Sequence, residues 1–522
     1  MDVSGTQTLS DVLEQRVAAH PDKDFLVFEA DDGSVATLSY RAFASRVDRI
    51  ANALSDRDVR PGDRVAVMLS NCPDFIVCWF AITQAGAIMV PVNVLYAPDE
   101  LRYLLDTTEA VALVTEPKFM PTFRQIAEHC RHLRLKWLAR SQDSMPDFDA
   151  LSDIERAASP DHRVVAVEGD APAQIIFTSG TTSRPKGAIL SHRATVVQGI
   201  ATAMLFGLRH DDRCCVVLPL FHVNGQYVGV MPTLTVGGTV VLLETFSARN
   251  YWNQVRRHRC TGISIVPMIL RTMLLQPPSE TDSKHDVRFS FYALPTSSEE
   301  WTHFENRFGV RLIEGYGLSE TLGICSSNPV VHGVTKRHCI GLPLLGCEMR
   351  VVDENGKGVP RGQVGQIQVK GPALFSGYYA NPEETRACMT DGWFSTGDNA
   401  SIDGDGYFHF FDRSKDVIKR AGENISASEV ERVLTEHPGI AEAAVIGVFD
   451  PLRDEAVKAF VVVQAGVSLT ESDVKEWCAR HLAKFKVPSF CEFRSSLPRT
   501  SIGKIMKHQL KAEEKNARAL NA

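Results

Sequence analysis

Five short stretches of this chain gather the side chains that nucleotide and phosphate chemistry needs. Thr178-Ser179-Gly180-Thr181-Thr182-Ser183-Arg184-Pro185-Lys186-Gly187 places five hydroxyls, two glycines and a lysine in one loop, directly after the apolar run Ile175-Ile176-Phe177. Backbone N–H groups, hydroxyl donors and a cation brought together in this way can grip a polyphosphate. The G-x-x-x-x-G-K-[ST] spacing of a P-loop is absent. A solvated Ser/Thr turn is the plainer alternative, and the hydroxyl density behind a strand disfavours it. Glu314-Gly315-Tyr316-Gly317-Leu318-Ser319-Glu320-Thr321 sets an aromatic ring between two glycines. Such a ring can stack on a flat base while the backbone approaches closely. The carboxylate of Glu320 can hold Mg²⁺, and the Thr321 hydroxyl beside it can bind phosphate. Taken singly, a core tyrosine and a surface glutamate would be the safer reading. In Asp391-Gly392-Trp393-Phe394-Ser395-Thr396-Gly397-Asp398, the last aspartate could accept both hydroxyls of a ribose, although Asp in a turn is common. A fourth stretch runs from Arg413 through Lys415-Asp416-Val417-Ile418-Lys419 to Gly422-Glu423-Asn424-Ile425. The fifth is Pro498-Arg499-Thr500-Ser501-Ile502-Gly503-Lys504, whose lysine alone would read as a solvated side chain.

These stretches need a scaffold, and 522 residues exceed what one hydrophobic core usually serves, so two or more domains are expected. Hydrophobic residues at 44% and charged residues at 23% are ordinary for a globular chain and argue against disorder. A net charge of −7 and a pI near 6.2 exclude the basic field of a nucleic-acid-binding protein. The acidic N-terminus does not read as a secretory signal. The apolar segment 75–92, interrupted by Thr83, Gln84, Gly86 and Pro91, reads as a buried helix running into a strand and not as a membrane span. Twelve scattered cysteines without a C-x-x-C pair suit free thiols in a reducing cytoplasm, with Cys214-Cys215 in a buried strand.

From about residue 35 to 330, β-branched runs alternate with amphipathic segments. Strands are expected at 65–69, 175–177, 216–218, 240–243 and 263–266, and helices at 74–83 and 248–257. That rhythm implies α/β layers with largely parallel sheets. Recurrent glycines over about 338–414 mark a β-rich subdomain. A boundary near Lys415 divides an N-terminal unit, 1–414, from an α+β unit, 415–522. The second unit is expected to hold helices at 429–436 and 471–482 and strands at 443–448, 458–463 and 490–493.

In their order and spacing the five stretches resemble the signature of the adenylate-forming superfamily, which includes acyl-CoA synthetases, peptide-synthetase adenylation domains and firefly-type luciferases. The resemblance extends from Leu38-Ser39-Tyr40 through Pro61-Gly62-Asp63-Arg64-Val65 to Lys504. It implies a large α/β N-terminal domain and a small mobile C-terminal domain. It also implies ATP, Mg²⁺ and coenzyme A as cofactors and a small carboxylic acid as substrate. The expected activity is acyl-adenylate formation followed by thioester formation. Wording around residues 334–353 resembles the carnitine/crotonobetaine-CoA ligase branch.

By this resemblance Thr178, Ser179, Gly180, Thr181, Thr182 and Lys186 grip the β/γ-phosphates, and Tyr316 stacks on adenine. Thr321 touches the α-phosphate, Glu320 holds Mg²⁺, and Asp398 with Arg413 binds ribose. Lys504 bridges the substrate carboxylate and the α-phosphate. A carboxylate attacking a polyanion brings like charges together, so cations placed there would carry much of the rate enhancement. Lys415 matches the hinge. The swing about it would withdraw Lys504 and bring in 419–424, with Gly422 lining the pantetheine tunnel. His222 matches a gate to the acyl pocket, with a core histidine as the plainer alternative. Pocket walls are expected from Asn224, Val266, Tyr292, Leu294, Gly315 and Gly317.

Three positions depart from the family pattern. Ser183 stands for a glycine of the phosphate loop, Tyr292-Ala293-Leu294-Pro295 for a Gly/Ala-rich segment, and Asp454-Glu455 for a Gly-Glu pair. Segment 221–225 lacks the aspartate that would hold an amino acid's ammonium. Nothing points to oxygen chemistry. The alternatives are a ligase loading a separate carrier protein and an inactive binding protein on the same fold. The acid expected is medium-sized and hydrophobic, aryl or alicyclic, and a homodimer is common among such proteins.

Overall fold

A computed structural model describes residues 5–141, 145–178, 185–293, 298–330, 334–353, 355–413, 417–498, 505 and 507–519. The apolar run near residue 75 forms the helix Pro73–Gln84, in which residues 75–84 are all buried. Proline in its first turn is pre-set for helix and lacks only an N–H that would have no partner there. The chain leaves through Gly86, at φ +72°, into the strand Ile88–Pro91. This is the helix-into-strand expected from the sequence.

The strand Ile88–Pro91 lies inside a seven-stranded sheet. Asp149–Ala150, Leu135–Leu138, Ala112–Thr115, Arg64–Met68, Ile88–Pro91 and Pro172–Thr178 run parallel, and Lys186–Ser191 closes the edge antiparallel. A nine-stranded sheet carries, from its centre outward on one side, Arg213–Val216, Gly262–Ile265, Phe289–Tyr292 and Leu312–Tyr316, all parallel. On the other side lie Thr239–Leu243 and Asp24–Glu29, also parallel, with antiparallel strands at both rims. Strands buried on both faces explain the near-continuous apolar runs.

Several boundaries differ from the sequence reading, and two of the shifts have a clear local cause. The strand expected at 216–218 is Arg213–Val216, because its first residue is charged and the chain leaves the sheet ahead of Pro219, which has no N–H to give. The helix expected at 248–257 is Tyr251–Arg257, since the N–H groups of Asn250 and Tyr251 both turn back to the Ser247 carbonyl.

Residues 348–413 form a five-stranded antiparallel sheet around Val351, Ile367, Val369 and Phe408. Beyond it, Val417–Arg420, Glu423–Ser426, Asp454–Val463, Ile440–Asp450 and Phe490–Phe493 make a further sheet. It is packed by the helices Ala427–Thr435 and Glu471–His481. Ser426 starts the first of these helices by accepting the Glu429 N–H at 3.2 Å, a cap worth about 1 kcal/mol. The result is an α/β chain with a large N-terminal and a smaller C-terminal domain. Lys486 fixes the two against each other. Its side chain is 2% exposed, and its ammonium lies between Glu100 on the helix Pro98–Thr108 and Glu429 at 3.0 Å. His481 adds a 3.0 Å contact to Asp99.

Candidate active site

The hairpin Pro172–Thr178/Lys186–Ser191 explains how a hydroxyl-rich loop is presented. Thr178 pairs with Lys186 across the two strands, so both ends of the loop are held by the sheet. Thr178 Oγ1 donates to the Lys186 carbonyl at 3.5 Å. Ser179, Gly180, Thr181 and Thr182 lie outside the described residues. Lys186 is ion-paired with Glu384 and sits 5.1 Å above the Tyr378 ring. The Tyr378 hydroxyl in turn donates to Glu320 Oε1 at 2.7 Å. Burial, and next the Glu320 charge, push the Tyr378 phenol far above its usual range, so it remains a donor. The structure thus gathers Lys186 and Glu320 around a tyrosine and a glutamate that the sequence reading missed. Neither residue stands in a stretch whose spacing would have singled it out.

The strand Leu312–Tyr316 ends at the second cluster. Tyr316 is 9% exposed, and its hydroxyl donates to Asp398 Oδ2 at 2.6 Å, joining the two expected nucleotide residues across 82 positions of sequence. Asp398 lies on the strand Trp393–Ile402, paired with Arg413 on Phe408–Arg413. Thr321, fully buried, accepts the Leu318 N–H at 2.8 Å and donates to the Leu318 carbonyl at 3.1 Å, which fixes its hydroxyl. The two glycines beside Tyr316 serve packing within the protein. A Cβ on Gly317 would fall 2.3 Å from the Gly323 carbonyl oxygen, and one on Gly315 would fall 2.6 Å from the Phe291 ring. Packing within the chain alone therefore requires glycine at both positions.

Glu314, just before these glycines, is buried beside the Cys339 N–H, which donates to it at 3.2 Å. Burial pushes its carboxyl up to about 7. A folded-state value above the unfolded one favours the protonated form, so this group's contribution is full below pH 4.5 and is lost as pH rises through 7. Glu314→Gln should therefore match wild type near pH 4 and exceed it at pH 8 by roughly 3 kcal/mol in denaturant unfolding.

Around the expected acyl pocket the placement is mixed. Asn224 opens the π-helix Asn224–Val230 and accepts from the Ser264 hydroxyl at 2.9 Å. Val266 precedes the helix Pro267–Leu274. Gly323, packed on Gly317, faces Val223, which brings the segment after His222 beside the second cluster. Tyr292 does not line this face. Side chains alternate along a strand, and Tyr292 shares register with Ile265 whereas Phe291 shares it with Ser264. Its ring is fully buried in the opposite layer, 5.8 Å from Trp301. Leu294 is outside the described residues, as are Lys415 and Lys504.

Among the described residues, the C-terminal domain reaches this site through the hairpin Val417–Arg420/Glu423–Ser426. Gly422, at φ +88°, would bring a Cβ to 3.8 Å from Val266 Cγ2. Next to it, Glu423 Oε1 lies 3.0 Å from His222 Nε2. Burial opposes charge on both groups, yet the pair holds His222 above and Glu423 below their usual values. His222 is thus bound to a carboxylate of the other domain, and neither the gate nor the core histidine expected from sequence anticipated that partner.

Among the described residues no helix is long and apolar enough to cross a membrane. The chain is 39% identical to the crotonobetaine/carnitine–CoA ligase of Salmonella paratyphi B over 98% of this chain and all of that one. It resembles a double mutant of o-succinylbenzoate CoA synthetase from Bacillus subtilis bound with its product analogue OSB-NCoA, with a TM-score of 0.85 and 26% identity. That match covers 97% of this chain and 98% of the other. ATP-bound MatB from Rhodopseudomonas palustris is closer in sequence, at 30% identity, but superposes less well, with a TM-score of 0.72 over 98% and 100% of the two chains. Residues 13–379 match the AMP-binding enzyme family and residues 429–504 its C-terminal domain, so the chain belongs to the AMP-binding enzymes.

Proposed function

We propose that this chain, as an ATP-dependent acyl-CoA ligase, converts a medium-sized hydrophobic, aryl or alicyclic acid into its CoA thioester. In the first half-reaction the carboxylate attacks the α-phosphorus of ATP, releasing pyrophosphate and leaving acyl-AMP. In the second, the thiol of CoA attacks the acyl carbon and AMP leaves. The observation that carries this reading is the convergence of three parts. Lys186, Glu320 and Thr321 form one end of the site, Tyr316 and Asp398 a second, and the Gly422–Glu423 hairpin the third, seated on Val266 and His222.

The roles are those the family resemblance implies, and these placements support them. Lys186 would meet the β/γ-phosphates with the hydroxyl-rich loop, and Tyr316 with Asp398 and Arg413 would hold the nucleoside. Thr321, its hydroxyl fixed, would meet the α-phosphate. Glu320 fits Mg²⁺, because its carboxylate is a hard oxygen donor. Among the described residues no cluster of three His, Cys, Asp or Glu side chains gathers to cage a metal, which suits an ion that takes its other ligands from phosphates and water. When bound, the ion would neutralise phosphate charge.

Lys504 would serve the first half-reaction and the Gly422 hairpin the second, with a hinge at Lys415 between units 1–414 and 415–522. The better superposition on the complex with the CoA product analogue, despite lower identity, supports reading the present pose as the thioester-forming one. With Tyr292 turned away, Val266 supplies the apolar wall, and the Asn224–Ser264 pair adds a hydrogen-bonding spot to the pocket. The reading places the enzyme in the cytoplasm.

Pyrophosphate release by purified protein with ATP, Mg²⁺ and a panel of acids tests the proposal. Sustained, acid-dependent release only with CoA is the expected result. A single turnover with CoA that becomes sustained with a phosphopantetheinylated carrier protein would replace CoA as the acceptor. No acid-dependent release together with no ATP binding would mark an inactive protein on this fold. Sedimentation of the same sample decides between monomer and homodimer.

A further inference from the structure

We infer that Arg271 and Asp454 are positioning residues for thioester formation, their ion pair seating the Gly422 hairpin against Val266. This rests on the ligase reading above. Arg271 lies on the helix Pro267–Leu274, which begins directly after Val266. Asp454 opens the strand Asp454–Val463 and pairs with Arg420, the last strand residue before the hairpin turn formed by Ala421 and Gly422. The Ala421 N–H donates to the Arg453 carbonyl at 2.9 Å, which ties that tip to the residue before Asp454. The segment 266–274 therefore meets the C-terminal domain twice, at Val266 with Gly422 and at Arg271 with Asp454, whose strand is paired to the hairpin at Arg420.

The pair is short and shielded. Arg271 reaches Asp454 Oδ1 at 2.5 Å, with side-chain exposures of 12% and 15%. Glu300 holds the same guanidinium from the N-terminal side at 2.8 Å, so Arg271 is oriented whether or not the C-terminal domain is docked. Asp454 carries two local costs. Its φ of +69° lies where glycine is at ease and other residues are strained. Its Oδ2 is buried with no hydrogen-bond partner among the described residues. A glycine would relieve both. Arg271 and Glu300 belong to the N-terminal domain, so the contact that offsets these costs exists only when the domains meet in this pose. Buried ion pairs add little net stability, but removing one partner leaves an uncompensated charge, and that makes them selective for geometry.

Asp454→Gly supplies the residue that φ prefers, so the domain should fold and acyl-AMP formation should keep its rate. Thioester formation from preformed acyl-AMP at saturating CoA should slow about tenfold as the hairpin loosens. Arg271→Met leaves Asp454 buried and unpaired, and should slow the same step by about 10²-fold. The double variant should recover to the Asp454→Gly level, a rescue that a merely structural role for Arg271 would not give. Hydrogen exchange without substrates should be faster in Asp454→Gly at the amides of residues 420–423. Wild-type thioester rates in both single variants, with unchanged exchange, would overturn the inference. If wild type forms no acyl-AMP with any acid the ligase reading fails instead, and the exchange measurement still decides whether this pair seats the hairpin.

Discussion

Replacing Lys504 by alanine should slow acyl-AMP formation by about 10²- to 10³-fold, the range lost when a single group that meets developing transition-state charge is removed. Thioester formation from synthetic acyl-AMP and CoA should proceed at the wild-type rate. The split follows from the proposed alternation of the C-terminal domain. The Gly422 hairpin beside Val266 and Glu423 beside His222 would serve the second half-reaction, and Lys504 would serve only the first. Rapid-quench measurement of acyl-AMP, set beside thioester formation from the synthetic adenylate, separates the two steps. Equal slowing of both would remove domain alternation from the mechanism.

Lys486→Met should have the largest effect on stability. It preserves length and apolar volume while leaving Glu100 and Glu429, both nearly inaccessible, without their shared cation. Breaking a buried charge cluster in this way costs about 3–5 kcal/mol. Burial already raises the Glu100 carboxyl and Lys486 opposes it, so loss of the lysine pushes it higher still. A raised carboxyl regains its stabilising share as pH falls, so the deficit in denaturant unfolding should shrink between pH 7 and pH 5. Adding Glu100→Gln and Glu429→Gln should recover most of the loss, since neutral groups need no cation. A deficit that stays constant with pH and survives the triple substitution would show that Lys486 matters for packing and not for charge.

Much of the fold was legible because its strands are buried on both faces. Ile175–Phe177, Val240–Leu243 and Ile263–Ile265 announce themselves as apolar runs whatever packs on them, and the helix Pro73–Gln84 is set by Pro73 and Gly86. Errors fell at the ends, as at Arg213 and Ser247, where a charged head or a capping turn overrides the apolar pattern.

The candidate nucleotide-binding residues were legible for a related reason. Tyr316, Glu320, Thr321 and Asp398 are local words whose chemistry is carried by residue type and short spacing, and one hydrogen bond, Tyr316 to Asp398, joins two residues that had already been singled out. Tyr292 was misplaced because alternation fixes that neighbours face opposite ways but not which way the strand is turned. Its register with Ile265 decided that. Tyr378, Glu384, Glu423 and Lys486 went unassigned because each acts through a partner more than fifty positions away, and sequence spacing carries no record of such a meeting. Asp454 is the sharpest case. The sequence alone marked an aspartate where glycine is usual, whereas docking of the two domains supplied Arg271 and, with it, a reason for the charge to be there. The sequence by itself determined the family, the layered α/β scaffold and the candidate phosphate- and nucleotide-binding side chains, because these are properties of short segments. Only the tertiary structure decided which face lines the pocket and what holds the C-terminal domain over it, because those depend on charges and surfaces that meet only when distant segments pack.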